Sequence, residues 1–307
     1  MLPDLDVVAA LRVLATIYKK IKMKLVKIER KGATAAGVLV GDNVRIIGEW
    51  RPGPADQAPF SLSYQSSREL KTLLAAASQS VPLADVSLAV PIDPAAQIFC
   101  AGFNYHAHLT ETNAELPQHP VIFKRTLDTL VPHGQDIIRP IVSETLDYEA
   151  EIAIVVGRQG RHIAVADALA YVSGYSCFMD GSVREYQKHS VTSGKNFWHT
   201  GSMGPWIVTP DEIGSMDIPL AGFVDGEERQ SASASRMIFS IAQLISYCSI
   251  LTWLRPGDVI ATGTPGGVGS RMTPPRWLKA GQSVEVVVGG VGRLRNIVQD
   301  ETPAATR

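Results

Sequence analysis

The chain has 307 residues, of which 45% are hydrophobic and 19% are charged, and its formal net charge is −1. This composition is typical of a globular protein with a sizeable core and excludes a largely disordered chain. The near-neutral balance offers no basic surface for nucleic acid or an anionic membrane. The three cysteines are far apart and fit no zinc or disulfide framework, so we predict a reducing compartment, the cytoplasm.

The chain is predicted to contain an extension and two domains. Residues 1–22 are predicted to be an extension that forms one amphipathic helix, capped near Asp4 or Asp6. Their lysines follow the apolar patch, which is the wrong order for a secretory signal. Residues 23–92 are predicted to form a small α+β domain, with strands at 24–30, 35–40 and 43–48 and a helix near 66–78.

Residues 93–303 are predicted to form the larger, strand-rich domain. One helix is expected over about 236–252, where apolar residues repeat at helical spacing. No run approaches the ~18 apolar residues that a membrane span requires. Strands outnumber helices without regular βαβ alternation, so we predict a β-rich α+β fold. The predicted strands lie at 97–102, 120–124, 148–156, 172–180, 204–208, 220–225, 257–262 and 283–289.

Glu149 and Glu151 stand at the start of an apolar strand in the run LDYEAEIAIVVG (146–157). Side chains two residues apart share one face of a strand, so the two carboxylates would project together. Because like charges repel and burying an unpaired charge is costly, the pair needs a cation, and a divalent metal is the simplest one. The alternative is a strand end whose two glutamates face water.

Asp180 follows the next apolar run, just before Gly181, and would supply a third oxygen ligand to the same metal. The alternative, commoner role for such an aspartate is to cap a helix that starts at Ser182. Helical spacing would place Arg184 and Gln187 on one face with Asp180. Arg184 would then bind a substrate carboxylate or pair with a surface acid such as Glu185.

Three further features carry candidate chemistry. His108 and Glu111 stand three residues apart, and on a helical turn the glutamate would orient the imidazole as a general base; an incidental surface ion pair is the alternative. Lys195 follows a glycine, and a solvated lysine is its default interpretation. The run GTPGGVG (263–269) lacks the GK[ST] and GxGxxG patterns of nucleotide loops, which leaves a ligand-facing loop that includes Thr264 or a plain connection.

Other catalytic signatures are missing from the sequence. It contains no GxSxG, no HExxH and no cysteine in a context typical of a nucleophile. Metal-assisted chemistry is therefore the class that the residues favour.

Taken together, these runs resemble the fumarylacetoacetate hydrolase family over about residues 97–300. Two positions depart from the family motif, because Met179 and Glu185 stand where it usually has Asn and Asp. The resemblance implies a β-rich fold built on a rolled mixed sheet, a small N-terminal domain, a homodimer, and Mg²⁺ with Mn²⁺ or Ca²⁺ as substitutes. The matching runs, in family order, are FNYHAHLTE (103–111), PVIFKR (120–125), LDYEAEIAIVVG (146–157), GYSCFMDGSVREYQ (174–187), GKNFWHTGSMGPWIVT (194–209), VDGEERQ (224–230) and LRPGDVIATGTPGGVG (254–269).

The resemblance also implies roles for individual residues. The implied metal ligands are Glu149, Glu151 and Asp180. His108 and Glu111 match the family's water-activating pair, and Lys195 matches the lysine that stabilises an enolate. The implied substrate contacts are Tyr105, Arg184, Gln187 and Thr264.

From this resemblance we expect hydrolysis of a C–C bond in a 2,4-dioxo acid such as an acylpyruvate. The alternative is a decarboxylase or isomerase of a 2-oxo acid, of the oxaloacetate or hydroxydienoate type, on the same metal platform. A non-catalytic metal-binding oligomer is a third interpretation. The expected partners are a keto-acid substrate and a second copy of the chain, with no nucleic acid and no membrane.

Overall fold

A computed structural model describes residues 23–60 and 67–303. The helix predicted within residues 1–22 lies outside the described residues. Five α-helices occur in the described part of the chain: α1 (Ser67–Ala76), α2 (His106–Thr112), α3 (Arg184–Gln187), α4 (Val191–Lys195) and α5 (Ile241–Leu251). None of these helices combines the length and apolar character needed to traverse a lipid bilayer.

The described residues also form twenty strands. They are β1 (Lys24–Arg30), β2 (Ala33–Val40), β3 (Asn43–Ile46), β4 (Arg51–Pro52), β5 (Ser80–Pro82), β6 (Ser87–Ala89), β7 (Ile98–Gly102), β8 (Val121–Arg125), β9 (Leu130–Val131), β10 (Ile137–Arg139), β11 (Leu146–Asp147), β12 (Ala150–Val156), β13 (Val172–Met179), β14 (Ser182–Val183), β15 (Gly201–Val208), β16 (Pro219–Val224), β17 (Glu227–Ser233), β18 (Val259–Ala261), β19 (Ser283–Val288) and β20 (Gly292–Asp300).

Most of these strands belong to one large mixed sheet. Its main path runs β5-β3-β2-β1-β15-β13-β12-β18-β7-β8, and β7 is parallel to β18 while the other pairs along this path are antiparallel. A second sheet, ordered β10-β20-β19-β16-β17, packs against β12, β13 and β15. The predicted β-rich α+β fold is confirmed.

Strand β12 is buried along its whole length because apolar residues cover both of its faces. Ile152, Ile154 and Val156 belong to the core between the two sheets, whereas Ala153 and Val155 belong to a second cluster on the opposite face. Alternation along the strand places Glu151 on the Ala153 side, at the end where β12 begins. The acidic end of β12 therefore lies on the face of the sheet that this second cluster covers.

The predicted elements agree in place but not always in length. The helix expected over 236–252 begins only at Ile241, because Ser240 accepts a hydrogen bond from the main chain of Gln243 and forms a capping box with it. Strands β17 and β20 were not predicted, and neither were the short strands β4, β5, β6, β9, β10, β11 and β14. The N-terminal strands continue the large sheet, since β1 pairs with β15; the domain limits at 22, 92 and 303 stay a prediction.

Candidate active site

The three acids of the predicted metal site meet at one end of β12 and β13. These strands are antiparallel with Ala150 opposite Met179, so the next residues outward, Glu149 and Asp180, are also neighbours, and the Asp180 N–H donates to the Glu149 carbonyl at 2.9 Å. Carboxylate oxygens of Glu149, Glu151 and Asp180 all lie within 4.8 Å of one another. All three side chains are buried, which excludes glutamates that simply face water.

Gly263 completes the Glu151 environment. β18 pairs with β12 so that Ala261 lies opposite Ala153, which brings the glycine-rich loop beside the acid end of β12. The Gly263 N–H donates to Oε2 of Glu151 at 2.9 Å. Among the described residues this is the one hydrogen bond recorded for the Glu151 carboxylate, although the residue is only 1% exposed.

Lys195 supplies an internal cation to the other two acids. Its Nζ donates to Oε2 of Glu149 at 2.7 Å, to Oδ2 of Asp180 at 2.6 Å and to the Asp180 carbonyl at 3.3 Å, so its three N–H groups are all engaged. The side chain is directed inward by α4, which packs closely on α3: a Cβ at Gly194 would lie 2.6 Å from the Cα of Gln187. The interpretation of Lys195 as a surface lysine is wrong, because the residue is 2% exposed.

Two arginines hold the remaining oxygens. Arg125, which is buried, donates to Oδ1 of Asp180 at 2.5 Å. Arg184 donates from Nε to Oδ2 of Asp147 at 2.8 Å and from Nη1 to Oε1 of Gln187 at 2.9 Å. Its Nη2 lies 2.7 Å from Oε1 of Glu149 but is not aligned as a hydrogen-bond donor to any described residue.

The pKa values of the two glutamates shift in opposite directions. Burial opposes ionisation of Glu149, but Lys195 and then Arg184 and His108 outweigh it and hold the pKa of this carboxyl at about 2. Burial, followed by the Asp180 and Glu149 charges, raises the pKa of Glu151 well above its ordinary value. Burial alone would lower the pKa of Lys195, but the Asp180 and Glu149 carboxylates reverse the effect and raise it. Glu149 is therefore ionised and Lys195 charged at neutral pH, whereas Glu151 resists ionisation.

The sum of the charges in the cluster indicates whether its residues fit a divalent cation. Four carboxylates, of Asp147, Glu149, Glu151 and Asp180, meet three side-chain cations, of Arg125, Arg184 and Lys195, so one negative charge is left over if all are ionised. The unmatched negative charge belongs to Glu151, and either a proton or a bound cation must neutralise it. An all-oxygen donor set of three acids is what Mg²⁺, Mn²⁺ or Ca²⁺ accepts, so the site fits such an ion.

His108 and Glu111 form the predicted pair on α2. Nδ1 of His108 lies 2.7 Å from Oε1 of Glu111, and Oε2 of Glu111 accepts the Gly267 N–H at 2.9 Å. An Nδ1–H donated to this carboxylate leaves Nε2 as the basic nitrogen of the ring. The pair is not incidental surface charge, because His108 is 6% exposed and its carboxylate partner is fixed by the loop.

A cavity of about 460 Å³ is lined by residues of the acid cluster, of α2 and of α3. Its lining includes Glu149 and Lys195 from the acid cluster, His108 from α2, and Arg184 and Gln187 from α3. Thr264 also lines it, but its hydroxyl donates to the Ala150 carbonyl at 3.0 Å and accepts from Nε2 of Gln230 at 2.7 Å.

Tyr105, the remaining predicted substrate contact, lies in the core of the protein. Its side chain is 1% exposed and packs in the core between the sheets, and its hydroxyl has no hydrogen-bond partner among the residues that the structure describes. Burial and the Glu151 charge raise its pKa. Tyr105 is not among the residues that line the cavity, and its role as a substrate contact stays a prediction.

Two alternatives from the sequence are wrong. Asp180 does not cap a helix: α3 starts only at Arg184, and both Asp180 carboxylate oxygens are held by Arg125 and Lys195. For the same reason Asp180 does not share a helical face with Arg184 and Gln187. Arg184 pairs with Asp147 and lies against Glu149, and not with Glu185, which accepts the Ser143 hydroxyl instead.

Residue-by-residue reasoning missed three supporting side chains. Arg125 holds Asp180, and Asp147 holds Arg184 while accepting the Gly269 and Ser270 N–H groups. Gln230 links the Ala150 N–H to Thr264. All three stand in runs that match the family, but a polar residue inside a matching run does not reveal which neighbour it binds.

The site combines, on a mixed sheet, a histidine–glutamate pair with a buried acid cluster of a kind that could hold a metal ion. A sequence model of the fumarylacetoacetate (FAA) hydrolase C-terminal domain matches residues 97–299. The oxaloacetate tautomerase YisK of Bacillus subtilis is 40% identical over 222 residues, covering 70% of this chain and 73% of that protein. The chain therefore belongs to the fumarylacetoacetate hydrolase family, as the resemblance predicted.

Solved structures agree with the fold. The 5-carboxymethyl-2-hydroxymuconate delta-isomerase from Mycobacterium smegmatis has a TM-score of 0.74 and 29% identity, covering 91% of this chain and 100% of that one. The maleylpyruvate hydrolase from Sphingobium sp. SYK-6 has a TM-score of 0.75 and 27% identity, with the same coverage. These similar proteins include both an isomerase and a hydrolase.

Proposed function

We propose that this chain is a metal-dependent isomerase of 2-oxo acids that interconverts the keto and enol forms of an oxaloacetate-type substrate. The observation that carries the proposal is that His108, whose Nδ1 lies 2.7 Å from Oε1 of Glu111, lines the same cavity as Glu149 of the acid cluster. The similarity to an oxaloacetate tautomerase and to a delta-isomerase supports this alternative better than our first expectation, C–C hydrolysis.

The acids Glu149, Glu151 and Asp180 would hold the divalent ion. When bound, such an ion polarises a substrate carbonyl as a Lewis acid. Arg125 and Lys195 hold the Asp180 carboxylate in place, and Arg184 lies against Glu149, so the ligand oxygens are oriented in advance.

His108 is proposed to move the proton. Nε2 takes a proton from C3 of the keto acid, and the electron pair of that C–H bond shifts toward the C2 oxygen, which gives the enolate. Glu111 stabilises the imidazolium that results. Transfer of this proton to the C2 oxygen, directly or through water, gives the enol and restores the neutral imidazole, and the reverse reaction takes the same steps in the opposite order. The Lys195 ammonium, fixed near the floor of the cavity, offsets the negative charge that grows on the C2 oxygen.

Rapid measurement of keto–enol exchange tests the proposal. The decay of the enol ultraviolet band of freshly dissolved oxaloacetate should accelerate with enzyme and Mg²⁺, without loss of CO₂. Release of CO₂ in step with the decay would instead identify a decarboxylase. An unchanged rate of exchange with saturating enzyme and metal would reject the tautomerase.

Hydrolysis of an acylpyruvate is the second candidate, since a histidine oriented by a carboxylate can also deprotonate water. The similarity to a maleylpyruvate hydrolase supports it. Metal-dependent formation of pyruvate from an acylpyruvate, at a rate above that of oxaloacetate exchange, would make this the main activity. The expected homodimer and cytoplasmic location stay predictions, which light scattering and cell fractionation can check.

A further inference from the structure

Two cations of the cavity lining have no ion-pair or hydrogen-bond partner among the residues that the structure describes. Lys188, just after α3, and Arg271, at the end of the turn Gly269–Arg271, both line the cavity and are exposed. Within residues 23–60 and 67–303, no carboxylate lies within 4.0 Å of either side chain, and neither makes a side-chain hydrogen bond to the protein. They differ in this from Lys195 and Arg184, which form ion pairs with the acid cluster.

Burial distinguishes two groups of charged residues in the cavity lining. Glu149 and Lys195 are buried and form its floor, whereas Lys188 and Arg271 are exposed and lie on its solvent side. Much of the remaining lining is apolar and suits a carbon chain: Phe103, Val121, Phe123, Val191 and Trp277.

The charge pattern of the lining favours a ligand with a second anion. Glu149 is the one carboxylate among the lining residues, and its charge is already matched by Lys195 and Arg184. An arginine offers a planar fork for a carboxylate, and a nearby lysine adds a mobile donor. A solvent-side carboxylate would therefore meet two unpaired cations and no competing acid from the lining.

We infer that Lys188 and Arg271 bind the distal carboxylate of the substrate, so that the site selects 2-oxo diacids over 2-oxo monoacids. This inference rests on the proposed function, because it takes the 2-oxo acid end to lie at the acid cluster. Lys188 and Arg271 are specificity-determining residues on this account, and they take no part in the proton transfer.

A matched pair of ligands tests the inference by binding. Isothermal titration of the Mg²⁺-loaded protein compares 2-oxoglutarate with 2-oxopentanoate, which has a methyl group in place of the distal carboxylate. The diacid should bind about tenfold more tightly, since a hydrogen-bonded ion pair at an exposed site is worth about 1–1.5 kcal/mol. Raising the salt concentration should narrow this ratio.

Substitutions locate the effect. The double substitution Lys188→Gln with Arg271→Gln should bring the affinity for 2-oxoglutarate to that for 2-oxopentanoate and leave the latter within about twofold of the native protein. Arg271→Lys should retain part of the preference. Arg276→Gln is the matched control, because Arg276 is exposed in the same loop region but does not line the cavity and pairs with Glu227 at 3.6 Å.

Several outcomes would overturn the inference: equal affinity of the native protein for the two acids, no measurable binding of either, or equal weakening of both in the double variant. Failure of the proposed function is a separate result. It would appear as absent oxaloacetate exchange in the native protein, whatever the ratio of the two binding constants.

Discussion

Nζ of Lys195 lies 2.6 Å from Oδ2 of Asp180, a residue 15 positions earlier in the chain. The same nitrogen lies 2.7 Å from Oε2 of Glu149, so one ammonium joins two of the three acids. Removing one partner of a buried ion pair leaves an uncompensated charge, which is far costlier than the pair itself. The acid cluster is therefore tolerable in the folded chain only while cations stand beside it.

Lys195→Met should destabilise the metal-free protein by about 3 kcal/mol, because Glu149 and Asp180 lose their shared cation. Saturating Mg²⁺ should restore part of this loss, since the ion supplies charge to the same oxygens. Thermal unfolding with EDTA and with Mg²⁺ measures both effects. Lys279→Met, at an exposed position, is the control; a loss that Mg²⁺ does not reduce would contradict the assignment.

Glu151→Gln should abolish the rise in melting temperature that Mg²⁺ produces, without lowering the melting temperature of the metal-free protein. The reason is that Glu151 has a raised pKa and, among the described residues, only one N–H donor, so its ionised form destabilises the fold unless a cation is bound. Glu228→Gln, at an exposed position, is the control. A metal-free variant that unfolds several degrees earlier would show a structural need for the Glu151 charge.

Binding of Mg²⁺ should release protons. The raised pKa of Glu151 means that the metal-free site keeps a proton to a higher pH than an ordinary glutamate does. In that pH range the ion must displace the proton, so metal affinity rises with pH until that pKa is passed. Glu149 acts at the acidic end: its pKa falls from 4.5 to about 2, so its contribution to stability is present above 4.5 and is lost as the pH falls towards 2. Calorimetry in two buffers of different ionisation enthalpy counts the released protons, and a count of zero would refute the assignment.

His108→Asn should lower kcat for oxaloacetate exchange by about 10²–10⁴-fold, the usual contribution of a positioned general base. Glu111→Gln should lower it less, because the amide oxygen can still hold the ring. Neither change touches the acids, so Mg²⁺ binding should persist. His106→Asn, on the exposed side of the same helix, should leave the rate unchanged. Retention of full activity by His108→Asn would remove the proposed base.

Gly181→Ala should destabilise the protein by about 1–3 kcal/mol or prevent folding, because the new Cβ would lie 1.7 Å from the Thr200 carbonyl oxygen. The clash falls directly after Asp180, so the metal-induced stabilisation should also decrease. Gly214→Ala is the control, since nothing lies within 4 Å of its Cβ position. Comparable melting temperatures for the two variants would contradict this account.

Local pattern predicted the strands that carry the site, because apolar runs such as 150–156 are buried on both faces and leave little ambiguity. It also placed Glu149 and Glu151 on one side of β12. The local pattern could not place Lys195 or Arg125. A cation is buried only where an anionic partner lies beside it, and the partners of these two residues are distant in sequence. Strand β20 was missed because exposed Arg293 and Arg295 alternate with buried Leu294 and Asn296. Few apolar residues therefore mark a strand that pairs with both β10 and β19.

The internal ammonium of Lys195 also bears on how the protein matures. A nascent chain that carries its own counter-ion for Glu149 and Asp180 can complete its fold before it encounters a metal. On the proposed function, metal loading would then take place at a finished site, and the raised pKa of Glu151 would couple it to proton release. The identity of the resident ion would follow from the supply of divalent cations around the protein more than from any requirement of assembly.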